Sequence, residues 1–262
     1  MDFPTIPNHL PQASLLNASQ RSRADRVNSS TALRLKDISN STSEIRTEVK
    51  ENIRAKSLRR LFQLPETTEL FMANGMLDLV GAWLPARTIP RGIDLRHVDL
   101  TNAYLVNINL TNATLADSCL RNADLNHASL VVANLRNANL ENASLDNANL
   151  GNANLEDANL SNASLSNANL TDAILRNANL TRTGLSMVSL PGANLMSTNF
   201  TDAELIGADL TESNLERANL ERANLRRANL RGANLREANL READLGGADL
   251  TGADLRGTSL YP

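Results

Sequence analysis

The chain has 262 residues, with 26 basic and 29 acidic side chains, a formal net charge of −3 and only 3% aromatic residues. This length accommodates one or two domains. The single cysteine, Cys119, excludes a disulfide framework within the chain and a metal site built from several cysteines.

Residues 1–40 combine Pro4, Pro7 and Pro11 with many Ser and Asn residues and show little apolar periodicity. This composition predicts a disordered or loosely ordered tail. No basic head followed by an apolar core is evident at the start, so the sequence indicates no secretory signal and we expect a cytoplasmic protein.

Residues 41–64 are predicted to be helical. Ser41 and Glu44 match a capping box, and apolar residues recur at helical spacing after them. A cluster of basic residues then suits the carboxyl end of a helix, and contact with a membrane surface or nucleic acid is its alternative role. The cluster consists of Arg54, Lys56, Arg59 and Arg60.

Residues 66–84 contain the one concentrated group of apolar residues that lies outside the repeat of residues 91–260, and this group includes Phe71 and Trp83. The stretch is too short for a transmembrane span. We predict that residues 66–90 form a helical cap over the domain that follows, since open strand edges promote association. The alternative is that Phe71 and Trp83 bind a partner protein.

Residues 91–262 consist of a five-residue repeat without insertion or deletion. Leu occupies every fifth position from Leu95 to Leu260, except where Phe200 replaces it. A small or β-branched residue, usually Ala, lies two positions earlier, Asn or Asp usually lies between, and the two following positions are polar and variable. A period of five fits neither an α-helix nor an alternating strand. It predicts a β-solenoid in which each repeat forms one side of a coil and points its central Leu inward.

Charge pairs indicate how many repeats form one coil. Residues one coil apart stack about 4.8 Å apart, so opposite charges should be favoured at that separation. A separation of 20 residues gives nine opposite pairs and one like pair, Arg236/Arg256, whereas a separation of 15 gives six opposite and five like pairs. We therefore predict four repeats per coil. The nine pairs are Arg121/Glu141, Arg136/Glu156, Glu156/Arg176, Arg182/Asp202, Asp202/Arg222, Glu216/Arg236, Arg217/Glu237, Glu221/Arg241 and Arg222/Glu242.

The uninterrupted A(N/D)LXX phrases, such as the one that begins Ala138-Asn139-Leu140, resemble the pentapeptide-repeat family. The resemblance covers residues 91–260 and implies a right-handed quadrilateral β-helix. The 34 repeats then form about 8.5 coils in a rod roughly 41 Å long. The expected fold is an all-β solenoid with a small α-helical segment and cap at its amino-terminal end.

The carboxyl-terminal end of the rod is a candidate interface between two copies of the chain. Leu255 and Leu260 fall in the last coil, and we expect them to lie near an open end. The resemblance also implies such an end-to-end homodimer, because members of the family often dimerise in this way.

Residues 181–206 depart from the consensus while keeping its length. Met187, Met196 and Ile206 occupy outward positions where polar residues are usual. Drift of the repeat is one explanation, and an exposed apolar patch that docks a partner is the other. The candidate partner-binding residues are therefore Met187, Met196, Ile206, Phe71 and Trp83.

No catalytic constellation emerges from the sequence. His97 and His127 fall in outward positions on different sides of the predicted coil. No histidine shares a column with Cys119, that is, lies a multiple of 20 residues from it, so the thiol lacks the base that a nucleophile needs. Many carboxylates share columns with arginines, which keeps them ionised. We therefore expect no enzyme activity, no cofactor and no metal site.

The remaining functions are binding functions. We expect a rigid scaffold for protein–protein interaction; the alternative implied by the resemblance is a DNA mimic that binds a type II topoisomerase such as gyrase. Residues 91–262 contain 20 acidic and 14 basic residues, whereas DNA of the same length carries about 24 charges. Arg226, Arg227 and Arg231 have no acidic residue 20 positions away. The shortage of aromatic residues nevertheless argues against direct nucleic-acid binding.

Overall fold

The structure is a computed structural model that describes residues 77–78 and 91–259. Its two named strands are short: β1 spans Leu77–Asp78 and β2 spans Val98–Asp99. The rest of the described sheet consists of single-residue parallel bridges, from Asp94↔Thr114 to Asn239↔Ser259. Each bridge joins residues 20 apart, which confirms the prediction of four repeats per coil.

Backbone hydrogen bonds join each coil to its neighbours in the same way at every repeat. Around Leu100, its N–H donates to Cys119 O at 2.7 Å, and Asn102 N–H donates to Arg121 O at 2.8 Å. Cys119 N–H donates back to Val98 O at 2.9 Å. Because these bonds run along the rod axis, each coil is held mainly by the coils above and below it.

A two-residue turn follows every central residue. Ala103 N–H donates to Leu100 O at 3.0 Å and closes the turn, while the second turn residue, Asn102, has a φ of 58°. A positive φ at this position is the feature of a type II turn, and Asn, Asp and Gly adopt it most readily. The sequence pattern shows these positions as polar, and the backbone explains why Asn, Asp or Gly fills most of them.

The core is a continuous column of leucines with small residues between them. The central leucines from Leu95 to Leu240 are at most 2% exposed, and Phe200 is fully buried. This confirms the inward direction of the central position, where each Leu contributes roughly 1.5–3 kcal/mol. Buried hydroxyls are satisfied: Thr183 Oγ1, for example, donates to Leu160 O at 2.9 Å.

The described part of the predicted cap is a strand. β1 pairs in parallel with β2, with Leu77 opposite Val98 and Asp78 opposite Asp99. The prediction of a helical cap over residues 66–90 is wrong for these two residues, because their backbone joins the edge of the first coil instead. The predicted tail over residues 1–40, the predicted helix over residues 41–64, the remainder of the cap and Leu260 lie outside the described residues.

The four sides of the rod are named here by their first bridging residue. Side A begins at Asp94, side B at Asp99, side C at Tyr104 and side D at Asn109, and each continues in steps of 20 residues. The A–B, B–C, C–D and D–A turns connect them in chain order.

The last described coil is more open than the others. Leu245, Leu250 and Leu255 are only partly buried, in contrast to the leucines before them. Within residues 91–259, their N–H groups make no backbone hydrogen bond. This edge is therefore the part of the described core that remains accessible.

Candidate interaction surfaces

Side B carries a ladder of asparagines. Its bridging residues at positions 139–239 are all Asn. Four of the five neighbouring pairs of amides bond across coils, whereas Asn199 Nδ2 donates to Thr181 Oγ1 at 3.0 Å. Asn179 Nδ2 donates to Asn159 Oδ1 at 3.1 Å, and Asn239 Nδ2 donates to Asn219 Oδ1 at 2.9 Å. Because each amide both donates and accepts, this side presents a uniform polar surface with no charge along six coils.

Charge is concentrated on one half of the rod. The A–B and B–C turns hold 19 charged residues between positions 91 and 259, whereas the C–D and D–A turns hold seven. Side B lies between the two charged sets of turns, and side D lies between the two charge-poor sets. The rod therefore has one strongly charged flank and one weakly charged flank.

Five of the nine predicted charge pairs form ion pairs. The shortest joins Arg222 Nε to Asp202 Oδ1 at 2.7 Å, and Arg217 Nε lies 2.8 Å from Glu237 Oε2. Arg182, one of the predicted partners of Asp202, donates instead to Asn162 Oδ1 at 2.9 Å. The other pairs formed are Arg121/Glu141, Arg136/Glu156 and Glu156/Arg176.

Two arginines that have no acidic residue 20 positions away form ion pairs with an acidic residue 18 positions away. Arg226 Nη1 lies 3.2 Å from Asp244 Oδ2, and Arg231 Nη1 lies 3.3 Å from Asp249 Oδ2. The basic spot considered from the sequence is therefore largely neutralised. Arg227 is its remaining member, since it pairs with no acid in residues 91–259.

These contacts lower the pKa values of several exposed carboxyls. The pKa of Asp202 is lowered mainly by its hydrogen bond from Arg222, and that of Glu237 by its hydrogen bond from Arg217. The pKa of Asp254 is lowered from 3.8 to about 2, chiefly by the hydrogen bond from Arg256. The carboxyls are therefore held ionised as parts of surface ion pairs.

The structure brings two of the predicted partner-binding residues together. Met187 and Ile206 lie in adjacent coils at the C–D turns, where Met187 N–H donates to Ile206 O at 2.9 Å. Their side chains are 63% and 38% exposed. Met196 lies at an A–B turn, diagonally across the coil, and is only partly exposed. Phe71 and Trp83 lie outside the described residues.

Three further exposed apolar side chains were missed from the sequence. Tyr104 is 47% exposed on side C, Val132 is 53% exposed at a D–A turn, and Ile174 is 39% exposed on side A. Each stands in a column of mostly polar residues, so sorting the sequence into columns 20 residues apart would have found them.

The groups with potential chemistry are dispersed. Cys119 Sγ lies 3.2 Å from Thr101 Oγ1, and His97 Nδ1 lies 4.0 Å from Asp117 Oδ2. His127 is at a C–D turn. In residues 77–78 and 91–259, no group of three His, Cys, Asp or Glu residues is placed to hold a metal ion. The same residues contain no helix long and apolar enough to cross a membrane.

Comparison with known proteins agrees with this geometry. The family model described as pentapeptide repeats matches residues 93–130, 133–172, 148–186, 178–217 and 218–257. A search of curated proteins finds no match.

Solved structures supply similar chains. HetL, a pentapeptide repeat protein involved in heterocyst differentiation regulation from the cyanobacterium Nostoc sp. strain PCC 7120, is 34% identical. The match covers 69% of this chain and 88% of HetL, with a TM-score of 0.35. QnrB1, a plasmid-mediated fluoroquinolone resistance protein, is 21% identical in a trypsin-treated form, covering 71% of this chain and 90% of its own, with a TM-score of 0.55.

The family model covers most of the rod, and its period of five matches the observed coils. Pentapeptide repeat proteins fold into right-handed quadrilateral β-helices, in agreement with the four sides found here. The chain therefore belongs to the pentapeptide repeat family.

Proposed function

We propose that the protein is a rigid, non-enzymatic scaffold that binds a partner protein through the outer surface of its rod. The observation that carries this proposal is the unbroken core, which fixes every outward side chain at a regular position on four sides. Such a surface is pre-organised, so binding orders few backbone torsions. The proposal includes the cytoplasmic localisation expected from the sequence, which a single free Cys119 fits.

The charge pattern supports a scaffold over a DNA mimic that binds a type II topoisomerase. A mimic needs a dense, unpaired negative surface, since DNA carries one charge about every 1.7 Å. Acidic residues such as Glu156, Asp202 and Glu237 are instead paired with arginines in adjacent coils. The charged flank is therefore of mixed sign.

End-to-end assembly is the second part of the proposal. Partly exposed Leu245, Leu250 and Leu255, together with the unbonded N–H groups of their coil, form an apolar edge that a second copy would cover. Sedimentation velocity on the full chain at tens of micromolar should show a dimer that Leu250→Asp abolishes. A strict monomer at these concentrations would contradict this assembly.

The test of the scaffold is affinity capture from host extract with the full chain and with residues 91–262. The matched control is the Leu155→Asp variant, in which a buried charge should disrupt the rod. A protein captured by the folded chains and not by the variant supports the proposal. Capture of a topoisomerase by the rod, competed by DNA, would support the mimic instead, and no capture above the control would contradict both.

A further inference from the structure

Three aspartates form a ring at the open edge of the rod. Asp244, Asp249 and Asp254 are the bridging residues of sides C, D and A in the last described coil, and the residues bridged to them one coil earlier are all Asn. Their side chains are 48%, 44% and 29% exposed. We call these three side chains the carboxylate rim.

The carboxylate rim lies beside the accessible leucines of the same coil. Each of its members directly precedes one of them in the chain, at Leu245, Leu250 and Leu255. These leucines are only partly buried, in contrast to the central leucines of the preceding coils. Any molecule that covers this apolar edge must therefore come close to three carboxylates.

All three members of the rim are ionised at neutral pH. The pKa of Asp244 is lowered chiefly by the hydrogen bond from the N–H of Gly246, and that of Asp249 chiefly by the hydrogen bond from the Thr251 hydroxyl. The pKa of Asp254 is lowered from 3.8 to about 2. Each carboxyl is thus stabilised in its charged form.

The arginines that pair with the rim lie mostly behind it. The last described coil, residues 241–259, holds four acids and two arginines, whereas the preceding coil, residues 221–240, holds two acids and five arginines. Arg226 and Arg231, the partners of Asp244 and Asp249, belong to that preceding coil. The negative layer therefore lies one coil, roughly 4.8 Å, nearer the open edge than the positive layer.

An end-to-end contact between two copies places two such negative layers face to face. The second turn residue at three corners of the last described coil is glycine, at Gly247, Gly252 and Gly257, so these corners put no side chain between the rims. Like charges that lie opposite each other are destabilising. Because the carboxylates are partly exposed, added salt screens this repulsion.

We propose that the carboxylate rim opposes the end-to-end contact, so that two copies join weakly at low ionic strength and more tightly as salt is added. This inference rests on the end-to-end assembly proposed above and specifies how that assembly is regulated. The apolar edge supplies the attraction, which salt does not screen, whereas the rim supplies the repulsion, which salt does screen. An interface held by exposed ion pairs would respond to salt in the opposite direction.

The test variant is Asp244→Asn combined with Asp249→Asn, in the full chain. Asn already occupies both columns one coil earlier, and its Oδ1 can still accept the turn N–H that each Asp accepts, so the rod should fold normally. The matched control is Asp124→Asn combined with Asp209→Asn, which removes two carboxylates from the same two sides in coils further from the open edge.

The measurement is the dissociation constant of the dimer by sedimentation velocity. At low salt we expect the test variant to dimerise at least about fivefold more tightly than the natural chain, and the control to match the natural chain. Raising NaCl from about 50 mM to about 500 mM should tighten the natural dimer and change that of the test variant little. Adding Leu250→Asp to the test variant should abolish its dimer, because the contact is formed by this edge.

Two results would overturn the role of the rim and leave the end-to-end assembly standing. One is a test variant that dimerises no more tightly than the natural chain, and the other is a natural dimer that salt weakens. Monomers in the natural chain and in the test variant at every salt concentration would contradict the end-to-end assembly itself, and this inference with it.

Discussion

Asn179 donates from Nδ2 to Asn159 Oδ1 at 3.1 Å, although 20 residues separate them. Asn159 in turn donates to Asn139 Oδ1 at 3.3 Å and accepts from the N–H of Ser161 at 3.2 Å. One side chain therefore joins three successive coils and also accepts the N–H of the first turn residue of its own coil. Its amide has the two donors and the acceptor capacity that this arrangement needs.

Asn159→Ala should consequently destabilise the rod by about 0.5–1.5 kcal/mol, since it removes hydrogen bonds between half-buried groups that water can partly replace. The matched control is Asn154→Ala on side A, where the described side-chain bond is the one accepted from Glu156 N–H at 3.0 Å. Urea denaturation followed by circular dichroism measures both. Equal losses in the two variants would show that the ladder adds no stability.

Leu155→Asp should unfold or severely destabilise the rod. Leu155 is fully buried, and burying an unpaired carboxylate costs several kcal/mol. Asn152→Asp places the same carboxylate at an exposed turn of the same repeat, in a position where Asp157 already adopts a positive φ. Thermal melts should show a large fall only for Leu155→Asp, and similar melts would mean that the central position does not point inward.

Val132→Asn should stabilise the rod by about 1 kcal/mol. Val132 has a φ of 57°, and a β-branched residue is strained in this left-handed region, where Asn is tolerated. Val131→Asn is the control, because Val131 is the preceding residue of the same turn and is not among the residues with positive φ. A gain for Val131→Asn as large as that for Val132→Asn would attribute the effect to lost apolar exposure.

Acid should destabilise the rod in a defined pH window. The pKa values of Asp202, Glu237 and Asp254 are lowered by arginines in the folded chain, that of Asp254 from 3.8 to about 2. A lowered pKa gives stability that is complete above the ordinary pKa and is lost as pH falls through the folded value.

The melting temperature should therefore be steady above about pH 5 and should fall between about pH 4 and pH 2. Asp202→Asn combined with Glu237→Gln should reduce the slope in that window and leave the slope above it unchanged. A slope identical to that of the natural chain would show that these ion pairs do not contribute. High salt should also flatten the decline, because the pairs are exposed.

Five of the nine charge pairs expected from the spacing of 20 residues are formed. Other ion pairs form at a spacing that the sequence pattern does not predict. Arg226 and Arg231 find their partners at a separation of 18, because a turn residue of one coil lies close to the bridging residue of the next. Comparing residues 20 positions apart tests only equivalent positions of successive coils. It therefore cannot predict contacts between a turn residue and a bridging residue.

The period of five determined the solenoid and the inward direction of the central Leu, because a strict repeat requires each unit to adopt one backbone conformation. The charge pairs 20 residues apart determined its four sides. The tertiary structure decided what lies side by side on the outside. It placed Met187 against Ile206 and Met196 at the opposite corner, and it joined β1 to the first coil as a strand. These contacts depend on how coils stack and on which rotamer each long side chain adopts, neither of which is encoded in the position of a residue within its repeat.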